Sequence, residues 1–177
     1  MLQPSKRFEL FFLSSLPMLI TALLAVFFLI AKHIGGLNHF MPILPLIPVF
    51  YWGMAHARDM PFWFVFLLGL VLDAVMGLPL GLSSLLYIFF LVLLHAQRKY
   101  FHKEGFMIKW GYFAALLGAV CAFNWLILTL FNARAEAFFP GFLQWFFTVC
   151  CYPFMHKGFD ELYEYIGSRR WQILHGV

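Results

Sequence analysis

Charged side chains are scarce in this chain. Asp, Glu, Lys and Arg make up 11% of its 177 residues, where a soluble domain of this size carries roughly 25%. That shortage excludes a water-soluble globule and any separate soluble domain, since the longest hydrophilic stretch is the tail after His156. Cysteine is rare too. Cys121, Cys150 and Cys151 all lie in apolar runs, with no C-x-x-C pair and no metal-ligand spacing, so they read as small hydrophobes. The seven histidines include no H-E-x-x-H and no i,i+4 pair, which argues against zinc. Ser83 and Ser84 have no neighbouring histidine, and no G-x-S-x-G, phosphate loop or dinucleotide fingerprint occurs. No enzyme, metal or cofactor is expected. A net charge of +4, scattered along the chain, is too weak for nucleic acid.

What is present is hydrocarbon. Hydrophobic residues reach 63%, Phe alone occurs 24 times, and the mean hydropathy is +0.84. This predicts a single all-α polytopic membrane domain over 1–177. The first run, Phe8 to Ala31, is longer than the apolar part of a signal peptide (roughly 7 to 15 residues) and lacks a cleavage site, so it reads as a retained signal anchor; Pro17 should kink it. Six crossings are expected, at about 8–31, 40–54, 62–77, 79–97, 106–131 and 138–156. The second is short, with Pro42, Pro45 and Pro48 favouring a polyproline-like or broken start. Pro79 fits the first turn of the fourth segment, and each of the last four segments is long enough to span. Residues 157–175 place Phe159, Leu162, Tyr163 and Ile166 at helical spacing opposite Asp160, Glu161 and Glu164. That pattern suits either an amphipathic helix on the inner leaflet or a solvated helix end.

Orientation follows from the cations. With both termini inside, Lys6, Arg7, Arg58, Arg98, Lys99, Lys103, Lys109, Lys157, Arg169 and Arg170 fall on the inner side and only Lys32 and Arg134 outside. This positive-inside bias requires the second segment to cross.

One carboxylate, Asp73, lies in the middle of an apolar run, roughly 17 Å along the third segment at about 1.5 Å per residue. An intramembrane acid costs about 2.5 to 3.5 kcal/mol even on mild insertion scales, so a structural or functional task is expected of it. Gly69 and Gly77 flank it at four-residue spacing, and Pro79 and Gly81 follow. Glycines so placed leave a bare strip for close approach of another backbone. Two readings stay open. Asp73 accepts hydrogen bonds from the free amides at the start of the fourth segment, or it meets a partner or ligand in an interior cleft. Thr21, Ser84 and Gln144 lie at comparable depth. A second small-residue face, Gly111, Ala115, Gly118 and Ala122, suits packing within the protein, or a homodimer or partner seam.

The proline-rich second segment ending in Tyr51 and Trp52, a short polar loop, and the block G-x-x-x-D-x-x-x-G-x-P-x-G from Gly69 to Gly81 followed by Ser83 and Ser84 resemble the rod shape-determining protein MreD family. The specific part covers about residues 42 to 87; elsewhere the match is in hydropathy and order. The resemblance implies a fold similar to the membrane substrate-binding subunits of energy-coupling-factor transporters. It also implies a non-enzymatic inner-membrane component of the bacterial elongation machinery. Its partners would be the bitopic protein MreC and, indirectly, the MreB filament and the peptidoglycan synthases. Gly69, Asp73, Gly77 and Gly81 match the family motif, in a structural or partner-binding capacity. The glycine strips would receive a partner helix, while the basic loop from Arg98 to Lys109 faces filaments or anionic lipid. The alternative is a vitamin-binding subunit of a transporter, its pocket built on Asp73, Asn124 and Gln144.

Overall fold

The structure, a computed structural model, describes residues 4–34, 41–55, 60–101, 104–132 and 138–175. Among them are six helices and no strand: α1 Pro4–Ile34, α2 Leu46–Ala55, α3 Phe62–Met76, α4 Leu82–Phe101, α5 Phe106–Asn132 and α6 Phe138–His175. Arg58, Lys103 and Arg134 of the orientation argument lie outside the described residues.

The helices run alternately up and down, and cross-links at both ends of the bundle show it. At one end Lys32, near the close of α1, reaches Met76 at the close of α3. At the other end Phe62 of α3 rests on His95 of α4, and Arg98 of α4 reaches the last residues of α2. The first is the Asp73 end of the bundle and the second the Arg98 end. Leu13–Lys32 and Phe106–Leu130 are long and apolar enough to cross a membrane, whereas Leu46–Ala55 and Phe62–Met76 are shorter apolar helices.

α2 departs most from expectation. Its ten residues cover only about 15 Å at 1.5 Å per residue, half of a hydrocarbon core of roughly 30 Å. Residues 41–43 are irregular and a turn at 44–45 leads into the helix. Pro45 lies outside it and Pro48 in its first turn, where a missing amide hydrogen is harmless. Every residue from Leu46 to Met54 is buried, so α2 is the centre of the molecule. Phe50 meets Phe90 of α4, Phe113 of α5 and Tyr152 of α6 with ring centroids 6.3, 5.0 and 5.6 Å away. Edge and tilted contacts at these distances suit the ring quadrupoles.

Two further boundaries differ. α4 starts at Leu82, so Pro79 lies in the connecting turn, outside the helix; its carbonyl accepts the Leu82 amide at 3.1 Å. α6 is one helix of 38 residues, about 57 Å long, and residues 157–175 continue it without a break. Their apolar side is turned onto the protein. Phe159 and Ile166 are buried, and Phe159 and Tyr163 lie tilted against Trp52 with centroids 6.2 and 6.0 Å away. Aromatic burial against α2 holds the apolar side of this tail, and Asp160, Glu161 and Glu164 on the opposite side stay exposed. Asp160 reinforces it by accepting the Tyr51 hydroxyl at 2.6 Å and lying 2.8 Å from His156 Nδ1.

Candidate functional site

The Asp73 end is built from one tight turn. α3 stops because Gly77 takes a left-handed conformation, φ 66°, which costs a residue with a Cβ roughly 1 to 2 kcal/mol. The carbonyl of Asp73 accepts the amides of Gly77 and, at 3.1 Å, Leu78, closing the helix in the Schellman manner. Gly81, φ 97°, then turns the chain into α4.

The Asp73 side chain reaches across that turn. Its Oδ2 accepts the Gly81 amide at 2.9 Å, and its two oxygens take the Ser83 amide at 3.0 and 3.1 Å. A helix leaves its first amides without intrahelical partners, and α4 draws on a carboxylate from the preceding helix. The positive end of the α4 dipole offsets the charge. Asp73 is 0% exposed, so its main-chain and side-chain oxygens together tie the end of α3 to the start of α4.

Gly69 lets that arrangement close. A Cβ there would lie 2.5 Å from the Cα and 2.6 Å from the amide nitrogen of Ser84, inside the backbone of α4. The Ser84 hydroxyl donates to the Phe66 carbonyl at 3.0 Å, one helical turn further down. The strip expected to receive a partner is therefore filled, at Gly69, by this chain's own fourth helix. Gly77 has open space where a Cβ would go; its backbone angle is what calls for glycine. On α5 the pattern is mixed. Gly118 faces Trp145 of α6, whose Nε1 would lie 3.3 Å from an added Cβ, while Gly111, Ala115 and Ala122 stay exposed.

Beside the Asp73 turn is a partly open cavity of about 270 Å³, walled by all six helices or the residues joining them. Of the residues assigned to an interior pocket, Asn124 and Gln144 line it; Asp73 does not. A vitamin site built on that carboxylate loses its acid to backbone amides. The polar residues at comparable depth do not join Asp73 in a cluster. Thr21 donates to the Pro17 carbonyl at 2.7 Å and Ser84 to Phe66, leaving Gln144 on the cavity wall.

Three residues carry more than their sequence positions suggest. Arg98 was counted with the basic inner loop, yet its Nε donates to the Met54 carbonyl at 2.9 Å and its Nη2 to the Ala55 carbonyl at 2.6 Å. It satisfies the C-terminus of α2, which has no basic residue in its own last turn. Thr148 accepts the Ile43 amide at 2.9 Å and donates to the Gln144 carbonyl at 2.6 Å, anchoring the approach to α2. Lys32, assigned to an outer loop, lines the cavity. The available signal was indirect: a short apolar helix with no caps of its own needs donors and acceptors from elsewhere.

Against known proteins, the family model described as rod shape-determining protein MreD matches residues 6–159. The chain is 23% identical over 140 residues, 79% of its length and 80% of the relative's, to an uncharacterised protein, RP566, of Rickettsia prowazekii strain Madrid E. No solved structure matches, so the likeness to energy-coupling-factor subunits keeps only the family resemblance behind it.

Proposed function

Because this chain belongs to the MreD family of rod shape-determining proteins, we propose that it is a multi-pass, non-enzymatic scaffold of the bacterial inner membrane. In this reading it organises the cell-elongation machinery and so supports rod shape and side-wall peptidoglycan synthesis. The family match over residues 6–159 carries the proposal. Two apolar helices of membrane-crossing length support the membrane setting. The acid within the apolar runs is held by the backbone amides of Gly81 and Ser83, an arrangement that supports a structural role for it.

The surfaces left bare favour one place for a partner over another. The glycine strip on α3 is used internally at Gly69, so the exposed small residues Gly111, Ala115 and Ala122 of α5 are the better place for the membrane helix of an MreC-type protein. Close backbone approach over such residues gives packing that lipid cannot match. At the Arg98 end, exposed Lys99, Lys157 and Arg169 would meet anionic lipid or the elements leading to the MreB filament and wall synthases.

Crosslinking tests this. In a chain whose native cysteines are replaced, cysteines at 111, 115 and 122 should trap the bitopic partner, and cysteines at 70 and 74 on exposed α3 should not. Cells lacking the chain should round up and recover rods on complementation. Rods that persist without it, or purified protein that turns over a substrate, would overturn the scaffold reading.

A further inference from the structure

The cavity beside the Asp73 turn has a polar wall made largely of donors. Lys32, Tyr87, Asn124 and Gln144 line it, together with Ser83, and no carboxylate does. Lys32 is half-buried, and among the described residues its Nζ finds only the Met76 sulfur at 3.5 Å and the face of Phe28 at 5.7 Å. A thioether is a weak acceptor, and a ring face compensates a desolvated ammonium far less than an anion does. Neither carboxamide, Asn124 or Gln144, has a hydrogen-bond partner among the described residues. An ammonium, two amides and a phenol therefore converge on a space of about 270 Å³, well above the roughly 150 Å³ that admits a benzene ring.

We propose that this cavity binds a phosphate-bearing amphiphile. The phosphate oxygens take the Lys32 ammonium, a point-charge phosphate binder, and Asn124 and Gln144 donate to the remaining phosphate or ester oxygens. The first carbons of the ligand lie along the apolar wall, which includes Leu86 and Val120. The position suits the task, since Lys32 closes the apolar stretch Leu13–Lys32, where a headgroup and its tail would meet the protein together. Asp73 contributes by being absent from the lining. The amides of Gly81 and Ser83 hold its carboxylate in the turn, so it does not compete for the Lys32 ammonium on the cavity wall. The assignment is independent of any role in cell shape.

The test titrates the detergent-purified full chain, by native mass spectrometry, with short-chain phosphatidylglycerol, the matching diacylglycerol and inorganic phosphate. Phosphatidylglycerol should bind at least tenfold more tightly than diacylglycerol. Lys32→Gln should weaken it about tenfold or more, the usual worth of a hydrogen bond to a charged group. Lys32→Arg should retain binding within a few-fold, and Lys109→Gln at the far end should leave it unchanged. Gln144→Leu, which keeps every charge, should weaken it by a smaller factor. Unfolding midpoints of all variants separate lost binding from lost fold. Inorganic phosphate that binds as tightly as the lipid would assign the site to the free anion. Equal binding by Lys32→Gln and the unaltered chain, equal binding of diacylglycerol, or no binding of either phosphate compound would overturn the proposal.

Discussion

The two ends of the bundle each use a charged side chain to finish a helix that cannot finish itself, but over different distances. At one end Asp73 holds amides eight and ten residues further on. At the other, Arg98 holds carbonyls 44 and 43 residues back. The acid stabilises a hairpin that the local sequence already dictates. The guanidinium stabilises a tertiary arrangement, because α2 and α4 meet only once the bundle forms. The Asp73 end thus behaves as a preformed corner and the Arg98 end as a latch.

Substitutions can break that comparison or sharpen it. The largest effect belongs to Gly69→Leu, whose side chain would have to pass through the backbone of Ser84. Overpacking against backbone costs about 3 kcal/mol or more, so the chain should fail to give a monodisperse peak in detergent. Asp73→Leu strands the buried amides of Gly81 and Ser83 at about 1 to 3 kcal/mol each, and the unfolding midpoint should fall sharply. Asp73→Asn keeps an acceptor and should cost about half as much; equal losses for the two would show that the charge itself is needed. Arg98→Met frees the end of α2, at about 1.5 to 3 kcal/mol for bonds from a charged donor. Hydrogen exchange should then rise in residues 46–55 and not in 73–84, and a rise in both would erase the distinction between corner and latch. Smallest is Tyr51→Phe, which loses one hydrogen bond to Asp160, about 0.5 to 1.5 kcal/mol. Its signature is faster exchange confined to residues 157–169.

The same contrast explains what could be read from the sequence. Asp73 as the acceptor for the start of α4 was legible because acid, turn glycines and helix start lie within ten residues, inside the reach of spacing rules. Arg98 was not, because charge counting places a cation on a side of the membrane and says nothing about a carbonyl 44 residues away. Helix α4 begins three residues after Pro79 because Gly81 must first supply a positive φ. Helix α6 runs past His156 because Phe159 and Ile166 find a buried surface on the protein, where hydropathy alone marks the end of an apolar run. Gly69 was recognised as a place of close approach, but the approaching chain turned out to be α4.

The central position of α2 also constrains the order in which the chain can mature. Met54 and Ala55 wait for Arg98, and the Ile43 amide waits for Thr148, so a nascent chain that stops short of residue 148 holds its innermost helix with one tether missing. The earliest-made half of the protein is completed by the latest-made half, and a truncation late in the chain would be felt first at its middle.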